Sequence, residues 1–176
     1  MSYLSNTHLL IEILTFALPC WITNMSFQFI RAIKDRIPKN HWLRKYNIDN
    51  FDFVFIDGKP FIGGGVRITS SIPILILPLI FNFLLPVSFS YYLFLTLSVF
   101  IGDILGSFIK RRFGYTKGRY MPFVDHGDYI LFTGFIFTYL KLINYKIFLS
   151  ALILTYIFHP ITCFIGYKFK IKKQIL

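Results

Sequence analysis

The sequence predicts an all-α integral membrane protein with about five transmembrane helices, its N-terminus outside and its C-terminus in the cytoplasm. Of the 176 residues, 55% are hydrophobic, 22 are Phe and only 15% are charged, which lies outside the usual range of soluble proteins. No Asp, Glu, Lys or Arg occurs between Ile68 and Gly102. As a single helix at about 1.5 Å per residue, that run would be roughly 50 Å long and would exceed a ~30 Å hydrocarbon core. It therefore contains two spans, with a turn in "NFLLPVSFS".

We expect one membrane domain, residues 1–176, with cytoplasmic loops at 31–67 and 110–126. The spans are predicted at roughly 8–30, 68–85, 88–109, 127–145 and 147–168. The first is interpreted as a retained span, because no basic segment precedes it and no small-residue cleavage pattern closely follows it. Lys141 falls in the last turn of the fourth span, where its long side chain can reach the membrane surface.

The basic residues predict the orientation. Of the 19 Lys and Arg residues, 17 lie in residues 31–67, 110–119 and 168–173, which are alternating connections on one side of a five-span protein. The positive-inside rule places that side in the cytoplasm. The net charge of +11 is thus gathered on one face. It suits anionic lipid or phosphate groups at the bilayer, and we expect no nucleic-acid partner.

Asp103 is an unusual residue to find inside an apolar span. An intramembrane carboxylate costs on the order of 2.5–3.5 kcal/mol, so it should face a polar cavity or a charged partner. At helical spacing its face also carries a hydroxyl and two cations, Ser107, Lys110 and Arg111. The alternative is a structural ion pair that reaches the membrane surface.

A second acidic pair, Asp125 and Asp128, opens the fourth span in "MPFVDHGDY". At i, i+3 spacing both side chains point the same way if this turn is helical. Capping is the simpler interpretation, because acids at a helix N-terminus suit the helix dipole. If the pair lies within reach of Asp103, however, the carboxylates repel one another unless a divalent cation lies between them. Oxygen ligands without clustered His or Cys suit Mg²⁺.

Two glycine patterns have a structural and a functional interpretation. The segment "IDGKPFIGGG" is not a Walker A loop, and a flexible approach to the second span is its default interpretation. Its glycines could also let backbone amides approach a phosphate, with Lys59 adding a point charge. Gly102-xxx-Gly106 is typical of close helix packing. Together, carboxylates for a metal and cations for phosphates indicate phosphoryl or nucleotidyl transfer onto a lipid head group.

These segments resemble a known family. "GDILGSFIKRRFG", followed closely by "MPFVDHGDYIL", resembles the signature of the CDP-archaeol synthases, relatives of the phosphatidate cytidylyltransferases. "LPCWITN", "DGKPFIGG" and "HPITCFIGYK" resemble three further family segments, and all of them occur in family order along nearly the whole chain. The family usually has Thr after Gly-Lys and an Arg a few residues later, where this chain has Pro60 and Ile62.

The resemblance implies a five-span CTP:lipid-phosphate cytidylyltransferase with Mg²⁺, working at the cytoplasmic face. It transfers CMP from CTP to digeranylgeranylglyceryl phosphate and makes CDP-archaeol and pyrophosphate. The implied metal-site carboxylates are Asp103, Asp125 and Asp128, and Lys110 joins them as a catalytic residue. The implied nucleotide- and phosphate-binding residues are Asn24, Asp57, Gly58, Lys59, Ser107, Arg111 and Arg112.

Three other functions stay open at this point. The acceptor could be phosphatidate or another lipid phosphate. A CDP-alcohol phosphotransferase normally needs a denser motif of four aspartates than Asp125-x-x-Asp128. A small channel or transporter-like protein should carry polar residues in the far halves of its spans, which are mainly apolar here.

Overall fold

The described part of the chain is helical. The computed structural model describes residues 2–36, 38, 54–61, 76, 80, 87–116, 119–121 and 123–170. Within these ranges no regular strand occurs, and one isolated antiparallel bridge joins Val54 to Pro60. The predicted all-α class is confirmed for these residues, whereas the predicted span 68–85 lies almost wholly outside them. The helices are α1 (Ser2–Arg36), α2 (Phe89–Arg112), α3 (Val124–Tyr139) and α4 (Tyr145–Lys168).

Three helical stretches are long and apolar enough to cross a membrane: His8–Ser26 within α1, all of α2 and all of α4. Helix α3 has 16 residues. At about 1.5 Å per residue it is roughly 24 Å long, shorter than a ~30 Å hydrocarbon core. The number of spans and their orientation stay predictions.

Helix α3 begins and ends earlier than the predicted span 127–145. Its C-terminus closes in a Schellman motif, in which Lys141 takes a left-handed conformation with φ 58°. Two backbone bonds form the motif, from the Leu142 N–H to the Phe137 carbonyl at 2.8 Å and from the Lys141 N–H to the Thr138 carbonyl at 3.0 Å. Lys141 therefore lies in the connecting turn and not in a last helical turn.

Helix α3 packs against the other three helices, most extensively against α2. Phe137 on α3 is fully buried, and its ring meets those of Phe16, Tyr91 and Phe94 at centroid distances of 5.7, 5.3 and 5.2 Å. Helix α1 faces this core with residues at i, i+3, i+4 and i+7 spacing, which form one stripe. They are Ile13, Phe16, Ala17 and Cys20.

Candidate active site

Helices α2 and α3 meet at two buried glycines, Gly102 and Gly106. A Cβ at Gly102 would lie 2.7 Å from the Tyr129 Cα, and a Cβ at Gly106 would lie 2.6 Å from the Asp128 Cγ. Any larger residue would force the helices or the carboxylate to move, so the two backbones approach closely only with glycine here. Gly-xxx-Gly is thus a packing motif, as its spacing predicts.

This packing gathers the predicted carboxylates where α2 ends and α3 begins. The Asp128 carboxylate lies within electrostatic reach of Asp103 and Asp125, which repel it, and of Lys110, which attracts it. The Asp128 Oδ1 also accepts the Tyr129 N–H at 2.7 Å. The three acids therefore belong to one junction rather than to different sides of the bundle.

Asp125 is engaged by a cation of the chain itself. Its Oδ1 pairs with the Lys110 Nζ, and its Oδ2 accepts the Met121 N–H at 2.6 Å. The side chains of Lys110 and Asp125 are only 14% and 24% exposed. An ammonium has three N–H donors, so this contact leaves Lys110 capacity to bind another oxygen. Within the described ranges, no three His, Cys, Asp or Glu side chains form a metal-binding group.

The donors at the junction nevertheless suit Mg²⁺. This ion usually takes one or two protein carboxylates and completes its shell with water and substrate phosphates. Asp103 and Asp128 supply two carboxylates from facing helices, and a divalent cation would relieve their repulsion. The residues therefore fit a Mg²⁺ ion held by Asp103 and Asp128, with Asp125 directed to Lys110.

Arg111 lies beneath the turn that ends α2. Its side chain is buried, and NH1 donates to the Tyr115 carbonyl. The turn closes as a Schellman motif at Gly114, whose φ is 78° and whose N–H donates to the Arg111 carbonyl at 3.1 Å. The Arg111 Nε is buried without a hydrogen-bond partner in the part of the chain that is described. A buried donor of this kind costs roughly 1–3 kcal/mol, which an anionic ligand would offset.

Residues 54–61 form a tight hairpin beside the end of α2. Gly58 has φ 73°, and its N–H donates to the Phe55 carbonyl at 2.9 Å, while the Phe55 N–H donates to the Lys59 carbonyl at 2.9 Å. This pattern is a turn with a left-handed glycine at a bulge position. Asp57 supports it by accepting the Lys59 N–H at 3.1 Å. Residues 54–61 thus form a defined turn, whereas Gly63, Gly64 and Gly65, on which the prediction of a flexible segment also rested, lie outside the described residues.

Arg112 joins this hairpin to α2. Its Nε lies 2.9 Å from the Asp57 Oδ2, and its NH1 donates to the Pro60 carbonyl at 3.0 Å. The guanidinium carbon lies 3.8 Å from the ring centroid of Phe108 and 4.9 Å from that of Phe55, at distances typical of cation–π contacts. Its NH2 is buried and has no hydrogen-bond partner among the residues described.

An aromatic cluster and Lys59 complete this contact. The rings of Phe55 and Phe61 lie 5.5 and 5.0 Å from that of Phe108, between centroids. Lys59 Nζ donates to the Arg112 carbonyl at 2.8 Å, at the end of α2 where cations are favourable. The sequence interpretation missed the three phenylalanines, although aromatic residues flank the turn in "FVFIDGKPF".

Asn24 and Ser107 lie on the helices that border the carboxylates. Asn24 is half-buried on α1, and its side chain interacts with the Tyr129 hydroxyl on α3. Ser107 is half-buried on α2, one turn before Arg111. The predicted site residues therefore come from α1, α2, α3 and the hairpin.

Two tyrosines outside the predicted set hold the start of α3. The Tyr120 hydroxyl hydrogen-bonds the His126 Nε2, and the Tyr156 hydroxyl on α4 donates to the Phe123 carbonyl at 2.8 Å. Phe123 has φ 67°, which is strained for a bulky side chain, so this bond stabilises an unfavourable conformation. Burial raises the pKa of Tyr120, and the negative charge of Asp125 raises it further. No spacing in the sequence links these residues.

A cleft of about 360 Å³ opens between α2 and α3. Leu105, Ile109, Leu131 and Phe135 give it apolar walls, and among its described lining residues Asp128 is the charged one. An apolar cleft that ends at a carboxylate can take a lipid chain and direct its head group towards a metal ion.

The chain resembles known proteins along most of its length. A family model described as CarS-like, CDP-archaeol synthase, matches residues 46–175. The CDP-archaeol synthase of Pyrobaculum aerophilum is 26% identical over 156 residues, 89% of this chain and 92% of the relative. That of Methanococcus aeolicus is 31% identical over 137 residues, 67% and 76%. That of Sulfurisphaera tokodaii is 29% identical over 160 residues, 89% and 90%.

A solved structure shares the fold. It is described as an intramembrane enzyme for archaeal membrane lipid biosynthesis, and it superimposes with a TM-score of 0.62. The match covers 83% of this chain and 89% of the other, at 20% sequence identity. The helical arrangement is therefore one already seen inside a membrane.

Proposed function

Because this chain belongs to the CDP-archaeol synthase family, we propose that it transfers CMP from CTP to digeranylgeranylglyceryl phosphate and releases pyrophosphate. The family match over residues 46–175 carries this assignment. The junction of α2 and α3 supports it, since carboxylates and cations of the family signature lie there together. The chain is thus a nucleotidyltransferase that acts on a membrane lipid.

The protein is an integral membrane protein with three helices long and apolar enough to cross the bilayer among the residues described. We place the site at the cytoplasmic face. The junction adjoins residues 110–119, one of the segments that hold 17 of the 19 Lys and Arg residues. The positive-inside rule puts such segments in the cytoplasm, where CTP is available.

The reaction needs positioning and charge neutralisation more than a protein nucleophile. An ionised oxygen of the lipid phosphate attacks the α-phosphorus of CTP. A new P–O bond forms as the bond to the β-phosphate oxygen breaks, and pyrophosphate leaves with that electron pair. Bound between Asp103 and Asp128, Mg²⁺ would neutralise phosphate charge and polarise the α-phosphoryl group.

The chain's own residues hold the reactants. Lys110 and Arg111 offer N–H donors to phosphate oxygens, and Ser107 adds a hydroxyl one turn earlier on α2. Asp125 keeps Lys110 at the junction through their ion pair. Asn24 borders the polar pocket from α1.

We assign one substrate to the hairpin and the other to the cleft. The turn formed by Asp57, Gly58 and Lys59 borders the nucleotide beside Arg112. We assign an apolar chain of the acceptor to the cleft between α2 and α3, which places its phosphate near the Mg²⁺ that Asp128 would help to hold. The nucleotide would therefore approach the junction from the aqueous side, and the lipid phosphate would approach it from the membrane side.

Purified protein incubated with CTP, lipid phosphate and Mg²⁺ tests the proposal, with the CDP-lipid product measured by mass spectrometry. Asp103→Asn and Asp128→Asn should each lower kcat by roughly 100- to 1,000-fold, because each removes a carboxylate that would hold the Mg²⁺ needed to neutralise the transition state. Glu12→Gln, at an exposed position on α1, is the matched control and should keep its activity. Wild-type rates in both aspartate variants would defeat the metal assignment.

A mixture of ether-linked acceptor and phosphatidate, offered at equal concentration, tests the acceptor. We expect product mainly from the ether-linked isoprenoid phosphate. Preferential labelling of phosphatidate would retain the cytidylyltransferase activity and overturn the acceptor assignment.

A further inference from the structure

Arg112 has most of its hydrogen-bonding fork fixed by the hairpin. Asp57 holds Nε at 2.9 Å, and the Pro60 carbonyl holds NH1 at 3.0 Å. The rings of Phe108 and Phe55 lie within 3.8 and 4.9 Å of the guanidinium carbon. These contacts leave the side chain little rotational freedom, so NH2 keeps one direction.

The same hairpin also holds the backbone of α2 at this residue. Lys59 Nζ donates to the Arg112 carbonyl at 2.8 Å. Both the side chain and the main chain of Arg112 are therefore attached to one short turn. That turn keeps its shape because Gly58 is left-handed and Asp57 accepts the Lys59 N–H.

We infer that Asp57 is a positioning residue, which acts on the nucleotide only by orienting Arg112. Its two carboxylate oxygens are accounted for within the protein, one by the Arg112 Nε and the other by the Lys59 N–H. The NH2 of Arg112 is buried and has no hydrogen-bond partner among the described residues, while the side chain as a whole is 20% exposed. Asp57 thus sets the geometry and Arg112 makes the phosphate contact. The inference rests on the proposed function for the identity of that phosphate, which belongs to CTP.

A double-mutant cycle tests the inference with purified full-length protein, CTP, lipid phosphate and Mg²⁺. Asp57→Ala should raise the KM for CTP by roughly tenfold with little change in kcat, because removing an orienting partner typically costs about 10- to 100-fold. Asp57→Glu should restore much of the affinity. In an Arg112→Ala background, Asp57→Ala should change KM by less than roughly twofold, since nothing remains to be oriented.

Independent effects would overturn the inference. If Asp57→Ala raises KM by the same factor with and without Arg112, Asp57 contacts the nucleotide itself. A wild-type KM in Asp57→Ala would show that orientation of Arg112 is immaterial. Asp57→Asn keeps the volume of the side chain and replaces Asp57→Ala should the latter fail to fold.

Thermal unfolding of the same variants without substrate separates this inference from the proposed function. The Asp57 and Arg112 substitutions should be non-additive in Tm, because each abolishes the same ion pair. Additive shifts in Tm would contradict the contact in any case. If the shifts in Tm are non-additive but the protein makes no CDP-lipid, the ion pair is supported and the proposed reaction is refuted.

Discussion

Replacement of Gly106 by alanine should impair catalysis more than stability. The new Cβ would lie 2.6 Å from the Asp128 Cγ and 2.7 Å from its Cβ. Carbon atoms pack comfortably at roughly 3.5–4 Å, so the Asp128 carboxyl must retreat by about 1 Å. That group is one of the two carboxylates assigned to Mg²⁺. Misplacement of a reacting group by about 1 Å can cost on the order of 100-fold in rate.

The cost in stability should be moderate. Rotation of the Asp128 side chain relieves the overlap with its Cγ, whereas the overlap with its Cβ at 2.7 Å requires a small shift of α3. Overpacking typically costs about 1–3 kcal/mol. Replacing glycine by alanine inside a helix recovers roughly 0.5–1 kcal/mol. We therefore expect the free energy of unfolding to fall by roughly 0–2.5 kcal/mol. Thermal unfolding in detergent and the initial rate of CDP-lipid formation measure the two effects on one preparation.

Gly102→Ala is the matched control on the same face of α2. Its Cβ would meet the Tyr129 Cα at 2.7 Å, a backbone atom that moves only with the whole of α3. Because the Asp128 Cβ likewise moves only with α3, Gly102→Ala should lower Tm about as much as Gly106→Ala does. Per folded molecule, Gly106→Ala should lose the larger share of its rate. A wild-type rate and Mg²⁺ dependence in Gly106→Ala would refute the placement of Asp128 at the reacting centre.

Three further predictions concern the loop end of α2 and α3. Lys110→Met should lower kcat/KM by roughly 100-fold and the free energy of unfolding by about 1–2 kcal/mol. Lys110→Arg is the control, because it keeps the ion pair with Asp125. Equal rates in both variants would contradict phosphate binding by Lys110. Tyr156→Phe should destabilise by about 1 kcal/mol in chemical unfolding, since the bond to the Phe123 carbonyl is lost; an unchanged midpoint would argue against that bond. Because the pKa of Tyr120 is raised from 10.0 in the folded state, the unfolded chain ionises first. The free energy of unfolding should therefore fall as pH rises past about 10, and less so in Tyr120→Phe; identical pH slopes would oppose this.

The lengths of the apolar runs in the sequence predicted the positions of two helices well. The spans predicted at 88–109 and 147–168 lie within or close to α2, Phe89–Arg112, and α4, Tyr145–Lys168. Helix α3 was placed less well because its end carries no glycine. Lys141 adopts the left-handed conformation that usually ends a helix. Glycine is the residue most often found there, so a lysine gives no clear sign of the helix end in the sequence.

The residue types at the site followed from the family signature, but their pairings did not. Lys110 and Asp125 meet only because the chain between them folds back over the end of α2. The contact of Arg112 with Asp57 likewise depends on how a distant turn docks on Phe108. Such contacts join segments far apart in sequence, and no helical or strand period records them.

The short length of α3 has a consequence for the position of the membrane surface around the site. If α3 spans the membrane as the sequence predicts, its length of roughly 24 Å is less than a ~30 Å hydrocarbon core, so the lipid would thin around it or one of its ends would sink. Its first two turns hold Asp125 and Asp128, whose charges make sinking expensive. We therefore expect the membrane to become thinner locally at that end of α3. A soluble nucleotide and a membrane-anchored lipid can then meet in one water-filled cavity, while the nucleotide stays in water and the lipid chains stay in the bilayer.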